Sequence, residues 1–90
     1  MDTYWDPNKA RTNFAKHGVA FDDAETALTD PLGLTRDDPD TRGERRFVTV
    51  GANALGRVIT VVHTYRGDAV RLISARPATR KETDAYAKGI

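Results

Sequence analysis

The chain has 90 residues, enough for one small domain over residues 1–90, and its lack of cysteine excludes disulfides, thiolate zinc sites and cysteine nucleophiles. The formal net charge of +1 hides an asymmetry that is typical of nucleic-acid contact or an acidic partner: residues 1–44 carry 5 Lys and Arg against 10 Asp and Glu, and residues 45–90 carry 9 against 3. No apolar run approaches the roughly 20 residues of a membrane helix, and the start MDTYWDPNK lacks the order of a signal peptide, so we expect a cytoplasmic protein without a membrane span.

The chain begins with the signals of a short strand and a helix. An extended segment at residues 3–5 precedes Asp6 and Pro7, which are a favoured N-cap and a favoured first helical residue. We therefore predict a helix over residues 7–17, ended by Gly18, which tolerates a positive φ. The stripe of this helix that faces the core is predicted to contain Ala10, Phe14 and His17.

A second helix and a polar connection follow. Asp22 is a second favoured N-cap, and the pattern predicts a helix over residues 22–29 that Pro31 stops. Residues 32–35 fit either an edge strand or an ordered loop. Residues 36–43 are polar, contain proline and glycine, and are predicted to form an exposed loop.

The second half predicts three hairpin-linked strands and a last helix. The strands are expected at residues 46–50, 57–65 and 69–76, joined by turns at residues 53–56 and 67–68. Thr79 and Glu82 have the spacing of a capping box, which predicts a helix over residues 79–88. The fold class is therefore α+β: a mainly antiparallel sheet with two N-terminal helices and a C-terminal helix on one face, and the other face free.

The last predicted strand carries arginines among β-branched and apolar residues. A strand that buries one face has no structural need for guanidinium groups, whose planar donors suit phosphate, so this surface is expected to meet an anion, with nucleic acid as the leading candidate. Ten of the fourteen basic residues are arginine, but a GC-rich genome would produce the same bias. Arg71 and Arg76 have opposite strand parity and share a face only if a bulge intervenes, so Arg71 is left out of the predicted site.

Three blocks of the sequence, in this order and spacing, resemble the BrnT family of bacterial toxins. They are Trp5-Asp6-Pro7-x-Lys9-Ala10 continuing through Asn13 and Lys16-His17-Gly18-Val19 to Phe21; Gly43-Glu44-x-Arg46-Phe47 ending at Gly51; and Gly56-Arg57 through Val61-Val62-His63-Thr64 to Arg66, followed by Arg71-Leu72-Ile73-Ser74-Ala75-Arg76-x-Ala78-Thr79 with Glu82 and Tyr86. The resemblance implies a RelE-like ribonuclease fold and the toxin half of a type II toxin–antitoxin pair that cleaves RNA and inhibits translation. It also implies a cognate ribbon-helix-helix antitoxin, BrnA-like, in a heteromeric complex.

RNA cleavage without a metal needs a base, an acid and cations that stabilise the transition state. His17 is the predicted proton-transfer residue and Lys16 the phosphate-positioning residue, although both also fit a helix end with a favourable dipole. The predicted cations, gathered by adjoining strand ends, are Arg46, Arg66, Arg76 and Arg80. The alternative is that each arginine pairs with a carboxylate such as Glu44, Glu82 or Asp84.

Other candidates have structural explanations. His63 lies inside a strand and is expected to be buried or paired across the sheet. Tyr86 could stack on a base but fits core packing better, and Trp5 and Phe14 are expected in the core. No metal-ligand spacing is present, because the acidic run at residues 37–40 lacks the glycine and the terminal glutamate of a calcium loop, so no metal or cofactor is expected.

Three functions compete at this point. The first is a metal-independent endoribonuclease that leaves a 2′,3′-cyclic phosphate and is neutralised by its antitoxin. The second is a module that binds RNA or an antitoxin without cleaving. The third, a DNA-binding domain, ranks last because the terminal helix mixes Arg80 and Lys81 with Glu82 and Asp84 and has no base-reading face.

Overall fold

The computed structural model describes residues 2–39 and 43–89, so residues 40–42 of the predicted 36–43 loop lie outside the described residues. The elements, in chain order, are β1 (Asp2–Tyr4), α1 (Pro7–His17), α2 (Phe21–Ala27), β2 (Leu34–Asp37), β3 (Phe47–Ala52), β4 (Val58–Arg66), β5 (Ala69–Pro77) and α3 (Arg80–Lys88). The predicted α+β class is confirmed. Strand β2 extends to Asp37, into the predicted loop, because it pairs with β3 over its whole length.

The five strands form one sheet in the order β1-β5-β4-β3-β2. β2 to β5 are antiparallel neighbours, as hairpin-linked strands must be, and only β1 pairs in parallel, with β5. The predicted hairpins are therefore confirmed.

Local capping signals place α1 and α3 as predicted. The Asp6 side chain accepts a hydrogen bond from the Asn8 backbone N–H at 2.8 Å, and Gly18 ends α1 with φ 71°. In α3 the Glu82 N–H donates to the Thr79 hydroxyl at 3.1 Å and the Thr79 N–H donates to the Glu82 carboxylate at 2.9 Å. The caps of α1 and α3 thus satisfy backbone groups that the end of a helix leaves unpaired.

The prediction that Asp22 caps the second helix is wrong. α2 begins at Phe21, with Ala20 in the N-cap position and no side-chain cap. Phe21 is 2% exposed, so burial of its ring sets where the helix begins, and Asp22 falls in the first turn, where its charge still favours the helix dipole. The helix ends at Ala27, before Pro31 is reached.

The hydrophobic core lies between the sheet and the helices α1 and α2. Ile59 and Val61 of β4 are fully buried there with Ala24 and Ala27 of α2. A Cβ at Gly51 of β3 would lie 2.6 Å from the Ala27 carbonyl oxygen, so only glycine permits this close approach of α2 to the sheet.

The predicted core stripe of α1 is partly wrong. Phe14 is 56% exposed, and the buried residue of α1 is Asn13. The Asn13 amide donates to the Val19 carbonyl at 3.1 Å and the Ala75 carbonyl at 2.9 Å, and its oxygen accepts from the Ala75 N–H at 3.1 Å. The Asn13 side chain thus bonds to the edge of β5 at Ala75 as the backbone of a neighbouring strand would. Because Asn13 faces the sheet, Phe14 points outward. Trp5 is half-buried and contacts Phe21 edge-on, as expected for a core residue.

One detail of the helix placement differs from the expectation: α3 packs on the sheet face opposite α1 and α2. Thr60 of β4 pairs with Val50 and Arg76, so these three side chains share a face, and Arg76 bonds to Glu82 of α3. Ile59, next to Thr60 along β4, points into the core on the other side. The alternation of side chains along β4 therefore places α3 on one face of the sheet and α1 and α2 on the other. Composition and periodicity did not reveal this arrangement.

Candidate functional site

Arginines gather on the face of the sheet that carries α3. Cross-strand pairing gives this face the row Arg36, Val48, Val62 and Ser74, from β2 to β5. Arg46 extends β3 toward this face, because its carbonyl accepts from the Asp38 N–H at 2.9 Å and the next residue, Phe47, pairs with His63 on the core side. We call this surface the arginine face, and its cations are Arg36, Arg46, Arg66, Arg71 and Arg76.

A bulge in β5 brings Arg71 onto the arginine face. Val62 pairs with Ser74, but the next residue, His63, pairs with Leu72, so Ile73 is the extra residue. The shift reverses the parity of the strand, and Arg71 and Arg76 therefore point to the same side. The sequence could not show the bulge, since no glycine or proline marks it.

Two of the predicted cations are paired with carboxylates. The Arg66 Nε lies 2.7 Å from the Glu44 carboxylate, with both side chains substantially exposed. Arg76 donates two hydrogen bonds to Glu82, at 2.7 and 3.1 Å, and this contact holds the pKa of Glu82 well below its usual range, at about 2. The two pairs match the structural alternative that the sequence left open.

Arg46 is placed differently. Its side chain is half-buried, and its Nε is buried with no hydrogen-bond partner. A buried donor without an acceptor is costly, which indicates that the position of Arg46 serves something other than stability. Arg46 therefore stays a candidate for a functional cation of the arginine face.

Lys16 and His17 lie at the border of the arginine face. They line a cavity of about 370 Å³ with Ile73 and Ser74 of β5, and Ser74 is part of the arginine face. His17 is half-buried and Lys16 is exposed. A group able to transfer a proton thus lies across the β5 edge from the arginines.

Arg80 is set apart from the other predicted cations. It is the first residue of α3, is exposed, and lines a shallow cavity with Lys81, Asp84 and Lys88. Lys81 also lines a larger cavity beside the arginine face. Sequence reasoning missed Lys81 and Arg36, and it assigned Arg36 to a loop.

His63 is buried on the core face, as expected. Its Nε2 lies 2.8 Å from the Thr49 hydroxyl, its Nδ1 has no partner, and its ring stacks on Phe47 at 6.1 Å between centroids. Burial lowers the pKa of His63 below its ordinary value of 6.5. A neutral histidine on the face opposite the arginines serves the fold.

Tyr86 fastens α3 to the loop before β2. Its hydroxyl donates to Asp30 at 2.5 Å, and Asp30 also accepts from the Ala52 N–H at 2.8 Å. The Tyr86 hydrogen bond lowers the pKa of Asp30, and the same bond raises the pKa of Tyr86. The phenol is thus held at the sheet end and is not a free platform for a base.

The described residues contain neither a metal-ligand cluster nor a membrane-spanning helix. Within residues 2–39 and 43–89, no three His, Cys, Asp or Glu side chains are grouped so that they could hold a metal ion. In the same part of the chain, no helix is both long enough and apolar enough to cross a membrane.

Comparison with known proteins shows which family the chain resembles. Residues 5–82 match the family model described as "Ribonuclease toxin, BrnT, of type II toxin-antitoxin system". The 1.1 Å crystal structure of the Brucella abortus ribonuclease toxin BrnT is 31% identical to this chain, with a TM-score of 0.65, and the match covers 89% of this chain and 99% of that one. A comparison with curated proteins found no match. The chain therefore belongs to the BrnT family of ribonuclease toxins of type II toxin–antitoxin systems.

Proposed function

We propose that this toxin is a metal-independent endoribonuclease that inhibits translation by cutting RNA in the cytoplasm, and that the arginine face is its active surface. The observation that carries the proposal is the convergence of five arginines on one sheet face, with Lys16 and His17 at its edge. Cations placed where charge develops are the main source of catalysis in such reactions.

The proposed reaction uses the 2′-hydroxyl of the RNA as nucleophile. His17 takes the 2′-OH proton, the 2′ oxygen bonds to phosphorus, and the bond from phosphorus to the 5′ oxygen breaks. The leaving 5′ oxygen takes a proton from a solvent water, the proton held by His17 passes to the resulting hydroxide, and the products are a 2′,3′-cyclic phosphate and a 5′-hydroxyl. Lys16 positions the phosphate.

The arginines act on the charge that builds at phosphorus. Arg46 offers its half-buried guanidinium group to a phosphate oxygen. Glu82 holds the Arg76 side chain in place, so binding RNA costs little further conformational entropy of that side chain. Glu44 anchors Arg66 in the same way. Arg80, at the start of α3, contributes long-range attraction for the backbone.

The test is cleavage of a synthetic RNA with EDTA present throughout, followed by analysis of the product ends. We expect 5′-hydroxyl and 2′,3′-cyclic phosphate ends. Loss of cleavage on adding EDTA alone would contradict the metal-independent step, and 3′-hydroxyl ends would contradict attack by the 2′-OH.

A second candidate function is binding without cleavage. The observation that favours it is the internal pairing of Arg66 and Arg76, which neutralises two of the five cations. Under this alternative the protein shifts RNA in a binding assay but leaves it intact with His17 present or replaced.

The partner that we propose is a ribbon-helix-helix antitoxin of the BrnA type, which covers the arginine face in a heteromeric complex. Carboxylates of the antitoxin would bind the guanidinium groups and keep RNA away. Replacing Arg46 and Arg76 together should weaken this complex, most strongly at low salt, where charge pairs are least screened. Unchanged affinity would place the antitoxin elsewhere.

A further inference from the structure

A cavity lies between α3 and the strands β2 and β3. It has a volume of about 740 Å³, and its walls are predominantly apolar. Leu34 and Val50 contribute its sheet side, and Ala85 contributes its α3 side. Because Leu34 pairs with Val50, which pairs with Thr60, the cavity lies on the arginine face.

Charge surrounds this apolar cleft in a specific way. Arg36 of β2 and Lys81 of α3 are exposed cations that line it from opposite sides. Glu82 is the acidic residue of the lining, and its carboxylate is engaged by Arg76 and by the cap of α3. The cleft is therefore apolar inside and cationic at its borders.

We propose that this cleft is a nucleobase-binding subsite of the ribonuclease, in which one unstacked base of a single-stranded RNA inserts between α3 and β2–β3. The sugar-phosphate next to that base would lie against Arg36 and Lys81, and the strand would continue over the arginine face. The inference rests on the proposed ribonuclease function and adds the class of substrate, a single strand with a base free to leave the stack.

The chemistry of the lining favours a base over a charged ligand. A nucleobase has two apolar faces, and proteins recognise single-stranded RNA by burying such faces next to cations that bind the backbone. The polar atoms of Glu82 are already used by Arg76 and Thr79, so few groups remain to read base edges. The subsite should consequently accept any base, with preference set by size.

Filling the cleft tests this proposal. Ala85→Phe places a ring in the cavity, and Ala87→Phe places the same ring on the exposed side of the same helix. The readout is affinity for a short 2′-O-methyl RNA, which binds but cannot react, beside the same oligonucleotide with single abasic positions. Ala85→Phe should weaken binding about tenfold, the usual size of a lost base contact, and Ala87→Phe should not. One abasic position should weaken the wild type similarly and leave Ala85→Phe unchanged.

The outcomes separate this inference from the proposed function. If the wild type cleaves RNA but Ala85→Phe and the abasic positions have no effect on binding, the subsite is wrong and the ribonuclease proposal stands. If the wild type does not cleave RNA, the proposed function fails whatever the cavity variant does. If Ala85→Phe weakens only the complex with the antitoxin, the cleft holds a protein side chain, and the base subsite is overturned.

Discussion

The arginines of the sheet divide into two kinds according to the contacts of each side chain. Arg66 and Arg76 bond to Glu44 and Glu82, two of the carboxylates that the sequence named as alternative partners. Arg46 instead has a buried Nε without an acceptor. Sequence could identify the residue type but not this division, because it depends on which carboxylate the fold brings within reach.

Glu82 should make stability fall in acid. Its pKa in the folded protein is about 2, below the ordinary 4.5, so its contribution is present above pH 4.5 and is lost as the pH falls from 4.5 through 2. Glu82→Gln should lower the free energy of unfolding at neutral pH by about 1–2 kcal/mol, since the ion pair and half of the capping box weaken. Urea unfolding of both proteins across this range measures the difference, and an unchanged acid profile in the variant would contradict the assignment.

His63 should produce a second pH dependence at higher pH. Because burial lowers its pKa below 6.5, the folded state resists protonation, so stability is full above 6.5 and declines as the pH falls below that value. His63→Gln should reduce the pH dependence of the midpoint temperature of thermal unfolding between neutral and mildly acidic pH. The matched control is His17→Gln, at the only other histidine, which should retain the wild-type slope. A slope that disappears with His17 instead would refute this account.

At the scale of elements, local signals predicted more than long-range ones. α1 and α3 begin and end where their caps indicate, because capping depends on residues within one turn. The start of α2 and the β5 bulge depend on how Phe21 and Ile73 meet distant strands, and no local motif records that. The prediction that α3 lies on the same face as α1 and α2 was wrong for the same reason.

Asn13 should hold α1 against the sheet through its three buried hydrogen bonds. Asn13→Ala removes three hydrogen bonds and leaves the Ala75 backbone buried without partners, which we expect to cost about 2–4 kcal/mol of unfolding free energy. Thr12→Ala, which removes one exposed hydrogen bond on the same helix, should cost much less. Denaturant unfolding compares them, and equal losses would show that the edge pairing is unimportant.

For the whole molecule, the charge asymmetry along the sequence becomes an asymmetry between faces. Four of the five cations of the arginine face come from residues 45–90, the basic half of the chain, and only Arg36 comes from the acidic half. The sequence therefore predicted a cationic sheet surface and most of its members. It could not predict Arg71, because strand parity without the bulge points that side chain the other way.

RNA affinity should depend on salt through this face. For single strands the slope of log K against log salt is about −0.7 per neutralised phosphate, so loss of one contacting arginine should reduce the slope by about 0.7. Arg46→Ala should show this reduction in a titration with 2′-O-methyl RNA. An undiminished slope would show that Arg46 does not contact the backbone.

The most direct test of the account is the cleavage rate of Arg46→Ala beside Arg57→Ala. Arg57 is exposed in the turn before β4, so its variant removes the same charge outside the arginine face. Under single-turnover conditions with saturating protein and EDTA, we expect Arg46→Ala to cleave about 10²-fold or more slowly, as for loss of a donor to transition-state charge, and Arg57→Ala to match the wild type. Equal rates for the two folded variants would contradict the claim that the arginine face cleaves RNA.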